Sequence, residues 1–281
     1  ALVKDIDEDY LVTKMVGERI KNHYFERKKA ASPIGEEILR VEGLKREGIL
    51  KNISFSLHRG EILGITGLVG AGKTEVLKAI FGADAIDEGK IYVKGKQVQI
   101  NSPQDAVKLG IGLVPENRNL EGLVVEHPIN ENISITCPEK IKINRLGFIS
   151  ESLEIRKIVA HQGIKKLAIK CPHFRAKVES LSGGNRQKVV LAKWLFREVE
   201  ILLFDEPTRG IDVRVKAEIR DLIREIAKEG RAVIVSSCEF SEILTLSDRI
   251  IVMHKGKITG ELSYSNASEE KIVKLATIGR G

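Results

Sequence analysis

The chain has 281 residues, of which 42% are apolar and 30% charged, and carries a formal net charge of +7. That balance describes an ordinary soluble protein, built as one large domain or one domain with appendages; no apolar run approaches the roughly 18 residues of a membrane span and no signal peptide opens the chain, so an intracellular protein is expected. Cys137, Cys171 and Cys238 are far apart, fit no zinc spacing and are expected as reduced thiols, while the positive charge suits nucleic acid, an anionic membrane face or a polyphosphate ligand without choosing among them.

Residues 1–36 stand apart from the rest. Asp9 to Val16 can make two helical turns, and the stretch after them is polar, basic and broken by Pro33 and Gly35, which is linker composition. Strand signals begin with EILRVE at Glu37 and resume from Lys51 to His58, where Ile53, Phe55 and Leu57 alternate with polar neighbours. Glu61 to Thr66 reads as a short apolar strand and Gly67 to Gly72 as a glycine-rich loop. From Lys73, apolar residues recur at Val76, Leu77, Ile80 and Phe81 with helical spacing. A hairpin is predicted from 90–93 and 97–100 around Gly95, then a helix opened by Ser102 and Pro103 and stopped at Gly110, then a buried strand at 111–114. Residues 119–180 carry helical spacing (Leu153, Ile158, Val159, Ile164, Leu167) and few strand signals, which predicts a helical insertion. After it come helix 183–197, strand 200–204, helix 213–228, strand 231–236, helix 239–246 and strand 249–254; residues 257–262 and a terminal helix from Ser268 close the chain. Such alternation predicts an α/β fold with a largely parallel sheet wrapped by helices.

Three stretches carry chemistry. The pattern G-x-x-x-x-G-K-T over 67–74, between a strand and a helix, is that of a nucleotide hydrolase's phosphate-binding loop. Glycines at 67, 70 and 72 let the backbone of Gly67, Leu68, Val69, Gly70, Ala71 and Gly72 turn its amide hydrogens toward one centre, and the helix opened by Lys73, Thr74 and Glu75 adds its positive end. Lys73 is the candidate for the β- and γ-phosphates, and the Thr74 hydroxyl for magnesium. The second stretch, ILLFDEP at 201–207, is a buried strand with Asp205 and Glu206 at its carboxyl end, where open α/β sheets place their ligands. By the logic of nucleotide hydrolases, Asp205 serves magnesium and Glu206 polarises the attacking water. The third, LSGGNRQK at 181–188, opens a helix with Ser182 as cap and two glycines exposing amides.

In this order, with LLFDEPTRGID and VSSCE following, these motifs resemble the nucleotide-binding domain of ABC transporters over essentially residues 37–281. The resemblance implies a P-loop NTPase core with a mainly parallel sheet, an antiparallel β subdomain and an inserted helical subdomain at about 119–180. It implies ATP and Mg2+ as cofactors and two such domains meeting head to tail. Leu181, Ser182, Gly183, Gly184 and Asn185 then serve a nucleotide held mainly by the partner, and Asp212 matches the aspartate of the contact loop beside it. Three positions depart from the family pattern. Glu116 stands where a glutamine that touches magnesium is usual, and Cys238 where a histidine contacts the γ-phosphate. No aromatic residue lies between Leu39 and Phe55 to stack on adenine. A carboxylate at 116 can still bind magnesium but adds negative charge beside a triphosphate, and a thiol cannot make an imidazole's contact.

The order PENR, EGL, GFIS, LSGGNRQKVVLAKWL, DEPTRGIDV further resembles the second nucleotide-binding half of monosaccharide importers of the ribose, xylose and arabinose–galactose type. YLVTKMVGERI resembles the end of the first half, so residues 1–36 read as the end of a preceding domain and a linker. The resemblance implies a first half in the same polypeptide, membrane permease subunits, a sugar-binding protein acting through them, and a site on the cytoplasmic face of the membrane. Two alternatives stand beside it: a regulatory half with little hydrolysis of its own, and a nucleoside importer. A DNA-repair ATPase is disfavoured because no long coiled coil or zinc module separates the motifs, so no nucleic acid is expected. Trp194 is expected in the core, and His127, His161 and His173 on the surface. Arg209 is read either as a surface ion-pair partner or as a contact to phosphate across the dimer.

Overall fold

A computed structural model describes residues 34–142 and 150–277. The helical turns expected at Asp9–Val16, nearly all of the linker and part of the insertion lie outside them. In chain order the first elements are β1 (Glu37–Arg46), β2 (Leu50–His58), β3 (Ile62–Gly67), α1 (Lys73–Phe81), β4 (Glu88–Val93), β5 (Lys96–Val98), α2 (Pro103–Lys108) and β6 (Ile111–Val114). Short helices follow: α3 (Ile129–Ser134), α4 (Glu151–Ala160) and α5 (Gln162–Leu167). The remainder is α6 (Gly183–Arg197), β7 (Ile201–Asp205), α7 (Val213–Lys228), β8 (Ala232–Ser237), α8 (Phe240–Leu246), β9 (Arg249–His254), β10 (Lys257–Ser263) and α9 (Glu269–Thr277).

Two sheets organise these elements. An antiparallel sheet runs β2-β1-β4-β5, and a six-stranded sheet runs β10-β9-β3-β8-β7-β6. Within the second, β9, β3, β8, β7 and β6 are parallel, and β10 returns antiparallel to β9 at the edge. Every residue of β3, β6, β7 and β8 is buried. These strands are covered on both faces, which is why they read as continuous apolar runs and not as alternating ones.

The interleaved order decides where the chemistry sits. β3 pairs with β8 so that Thr66 faces Ser237, and β7 pairs with β8 so that Asp205 faces Ser236. The carboxyl ends of three strands far apart in sequence therefore share one rim of the sheet, the place where parallel sheets hold ligands. The hairpin's second strand is shorter than expected, ending at Val98. Between β6 and α6 the described residues form short helices, with an isolated bridge from Pro128 to Lys177. Asn130 and Ser134 of α3 hydrogen-bond the buried carboxylate of Glu154 on α4, fastening these helices to each other.

Candidate functional site

Gly67 ends β3 at a φ of 153°, where a Cβ would stand 2.3 Å from the Met253 carbonyl oxygen. Only glycine lets the strand leave the sheet so close to β9. In the loop beyond it, the Ala71 N–H donates to Leu68 O at 3.1 Å. Among the described residues no acceptor takes the N–H groups of Gly70, Gly72, Lys73 or Thr74. Four unpaired donors at the amino end of α1 form a ready cradle for an anion. The loop is braced from behind by the turn between β9 and β10. There the Gly256 N–H donates to Ala71 O at 3.0 Å, and the Lys51 N–H donates to Gly256 O at 2.7 Å. Sequence reading missed this brace: the H-K-G-K pattern signals a turn, but not what the turn touches.

Lys73 is buried and folds back over the loop, its ammonium donating to Gly67 O at 3.2 Å, Leu68 O at 3.3 Å and the Cys238 Sγ at 3.2 Å. The Thr74 hydroxyl donates to Asp205 Oδ1 at 3.1 Å. That pair is a hard-oxygen donor set, of the kind magnesium takes alongside phosphate oxygens and water. Asp205 is only 2% exposed, and burial pushes its carboxyl up to about 6 against the pull of the Thr74 hydroxyl.

A carboxyl whose folded pKa lies above its ordinary 3.8 binds more protons folded than unfolded. In the nucleotide-free protein this group's contribution to stability is therefore lost as the pH rises from about 4 to about 6, by about 3 kcal/mol at about 1.4 kcal/mol per unit. Asp205→Asn is expected to raise the urea midpoint near neutral pH and to flatten its dependence across that window, in unfolding curves recorded over a pH series.

Glu206 has a left-handed backbone, with φ 46°, unusual for a residue with a side chain. Its N–H donates to Ser236 O at 2.9 Å, and its carbonyl accepts the Arg209 N–H at 3.1 Å. Its carboxylate accepts the Cys238 N–H at 2.8 Å and the Ser237 hydroxyl at 3.4 Å, so β8 fixes where it points. Burial, and next the Glu206 carboxylate, push the Cys238 thiol up against the pull of Lys73, leaving it neutral near pH 7. Position 238 thus brings no positive charge to the rim. Lys73, Thr74, Asp205, Glu206 and Cys238 meet in one place.

Glu116 stands on the loop after β6 and forms an ion pair with Arg209. Beside it, Arg118 donates to Arg209 O at 3.2 Å and Gly210 O at 3.4 Å. A Cβ at Gly183 would lie 2.8 Å from the Arg118 guanidinium, so this arginine, bonded to the loop after β7, lies against the start of α6. Sequence reading missed Arg118 because its partners are backbone carbonyls far along the chain. Ser182 occupies the position before α6, yet its side chain makes no capping bond; the hydroxyl accepts from the Asn185 amide at 3.0 Å instead. Asn185 in turn accepts the Lys170 N–H at 2.9 Å. Leu181 and Gly184 are buried, while Ser182 is exposed. Asp212 caps α7 by accepting the Arg214 N–H at 2.9 Å. Among the described residues, no hydrogen bond or ion pair joins Leu181–Asn185 or Asp212 to the 67–74 loop.

A cavity of about 750 Å³ opens between the β1–β2 turn, Asp87 and Lys257, and none of its lining residues is aromatic or belongs to the 67–74 loop. Trp194 lies in the core, donating to Leu113 O at 2.7 Å and standing edge-on to Phe81. His127 and His173 are exposed, whereas His161 is half-buried: it packs edge-on to Phe196, and the partial burial lowers its pKa. Among the described residues no group of three or more His, Cys, Asp or Glu side chains could hold a metal.

The sequence model of the ABC transporter family matches residues 50–209. The chain is 45% identical over 275 residues to the ribose import ATP-binding protein RbsA 3 of Rhizobium meliloti (strain 1021), covering 98% of this chain and 54% of that protein. It is 44% identical over 277 residues to the ribose import ATP-binding protein RbsA of Caldanaerobacter subterraneus subsp. tengcongensis, covering 99% of this chain and 55% of that protein. The chain thus spans about half the length of the curated relatives it matches. Among solved structures it resembles a nucleotide-free ATP-binding cassette from an ABC transporter, with a TM-score of 0.70 and 22% identity over 87% of this chain and 97% of that one. It also resembles the dimeric post-hydrolysis state of the cassette MJ0796 bound to ADP and Pi, with a TM-score of 0.68 and 23% identity over 81% of this chain and 99% of that one. At that identity the likeness speaks for the fold.

Proposed function

The chain belongs to the ABC transporter family, and from that premise we propose that it is an ATP-binding half that couples binding and hydrolysis of Mg-ATP to import of a monosaccharide. The observation that carries the reading is the convergence of Lys73, Thr74, Asp205 and Glu206 beside four unpaired loop amides. Lys73 and the amides hold the phosphates, Thr74 and Asp205 hold magnesium, and Glu206 orients water. Bound magnesium supplies Lewis-acid polarisation of a phosphoryl oxygen. The test is calorimetry of Mg-ATP uptake by the full-length polypeptide. Lys73→Ala is expected to weaken uptake roughly ten- to a hundredfold, the worth of a hydrogen bond to a charged group. Unchanged uptake would remove the phosphate site assigned to residues 67–74.

The sugar specificity draws on the ribose import proteins at 44–45% identity; nucleoside import remains the alternative cargo. In this reading residues 37–281 form the nucleotide-binding domain, with the helical insertion at about 119–180. Residues 1–36 are the end of a preceding domain and a linker, and the first nucleotide-binding half lies in the same polypeptide. Leu181–Asn185 and Asp212 then face the nucleotide of that first half, consistent with their lack of bonds to the chain's own phosphate loop. No described helix is long and apolar enough to cross a membrane. The protein sits on the cytoplasmic face against membrane permease subunits, which a sugar-binding protein supplies. The groove between α1, α2 and the insertion, about 890 Å³, is the docking surface for those subunits.

The Glu116–Arg209 pair and the neutral Cys238 favour a second reading, in which the site on this chain's own loop turns over slowly and serves mainly to regulate its partner. Under it, Glu116→Gln removes a negative charge beside the triphosphate and is expected to raise phosphate release by the full-length polypeptide. An unchanged rate would count against it.

A further inference from the structure

The β8 ladder releases the chain just where Glu206 depends on it. Ser237 is the last residue of β8, paired with Thr66 of β3, and its carbonyl oxygen accepts the Thr66 hydroxyl at 2.8 Å. Cys238 belongs to neither strand nor helix, yet its N–H holds one oxygen of the Glu206 carboxylate while the Ser237 hydroxyl holds the other. The next fixed point along the chain is Glu239. It stands immediately before α8, where an acidic side chain ordinarily faces the first amides of the helix. Here it makes no such cap. Its carboxylate reaches across to α7 instead, taking the Lys216 ammonium at 2.5 Å and lying 3.7 Å from Arg220 Nη2. Glu239 is half-exposed, but the side chains of Lys216 and Arg220 are only 16% and 4% exposed, so the cluster is largely shielded from the water that weakens surface ion pairs. Arg220 also takes Glu242 of α8, Nε to Oε1 at 3.4 Å, and so ties the first turn of that helix to the same place. The Glu239 N–H meanwhile donates to the Ser237 hydroxyl at 3.1 Å. A hydroxyl has one hydrogen to give; with Glu239 donating to its oxygen, that hydrogen is left for Glu206.

We infer that Glu239 is a positioning residue for hydrolysis: anchored on Lys216 and Arg220 of α7, it fixes the 237–239 segment so that both oxygens of the Glu206 carboxylate stay aimed. The assignment rests on the role proposed above for Glu206. Glu239 acts only through that carboxylate, since among the described residues no hydrogen bond or ion pair joins it to the 67–74 loop.

Phosphate release by the full-length polypeptide is measured beside calorimetry of Mg-ATP uptake, at a temperature well below the unfolding midpoint of each variant. Glu239→Gln is expected to lower kcat about ten- to a hundredfold, the cost of a slightly misplaced catalytic group, with KM and Mg-ATP uptake unmoved. Lys216→Met breaks the anchor from the α7 side and is expected to give a loss of the same kind, while Lys216→Arg retains most of the rate. A loss that reaches the chemistry through Glu206 disappears once Glu206 is replaced. In a Glu206→Gln background neither substitution is therefore expected to lower the residual single-turnover rate further. A merely structural ion pair behaves differently: its removal lowers the unfolding midpoint and leaves kcat of the folded protein unmoved, or cuts the residual rate of Glu206→Gln by the same factor again. Either result overturns the inference, and so does a rate spared by Lys216→Met. If Glu206→Gln itself leaves the parent rate unaltered, the reading of Glu206 falls and this assignment falls with it. If Glu206→Gln lowers the rate and Glu239→Gln does not, the role of Glu239 alone is lost.

Discussion

Glu206→Gln is expected to lower the rate of phosphate release by about a hundred- to ten-thousandfold, the usual worth of a positioned general base, with Mg-ATP uptake retained. The geometry explains why the two effects separate. The Glu206 carboxylate is held by the Cys238 N–H and the Ser237 hydroxyl, whereas the phosphate site we propose is built from the unpaired loop amides and Lys73, which Glu206 does not touch. Glutamine has the same shape, so its amide oxygen still accepts from Cys238 while its nitrogen cannot take a proton from water. Single-turnover phosphate release and calorimetry on the same full-length preparation check the split. An unaltered rate would dismiss Glu206 as the base and would favour the regulatory reading of this half.

The second large effect is expected at the turn that braces the 67–74 loop from behind. Gly256 has a φ of 76°, and a Cβ there would lie 1.8 Å from the Ile49 carbonyl oxygen. Gly256→Ala must force the turn away from β2, with a cost of about 2–5 kcal/mol from the clash and the left-handed backbone together. The shift also withdraws the N–H that braces Ala71, so nucleotide uptake is expected to weaken along with stability. Gly48→Ala is the control: its φ of 71° is similar, but a Cβ there meets nothing within 4 Å, and the backbone term alone, about 1–2 kcal/mol, is expected. Denaturant unfolding and nucleotide titration of both variants distinguish a strained turn from a lost brace.

Much of this architecture was legible in the residues. The boundaries of α6, α7 and β9 coincide with those predicted, because each has a clear period or apolar run with a turn signal at its end. The convergence of the glycine loop, Lys73, Asp205 and Glu206 was readable because glycine, lysine and carboxylates in that spacing and order have few other uses. What escaped reading was pairing across distance. The Lys73–Cys238 contact spans 165 residues and the Arg209–Glu116 pair 93, and local periodicity carries no information about such meetings. Ser182 shows the opposite error: a serine before a helix promises a cap, but Asn185 three residues on competes for its hydroxyl and wins. The half-burial of His161 was hidden for a similar reason, since its neighbour Phe196 lies on α6, far along the chain.

The placing of β8 between β3 and β7 has a consequence for how the protein comes into being. A ribosome must deliver the chain past Cys238 before the 67–74 loop, the acidic strand end and the end of β8 can meet one another. ATP therefore cannot act as a seed around which the early part of the chain condenses. It can only fasten strands already gathered, and protection by nucleotide against proteolysis then reports the arrival of β8 between β3 and β7.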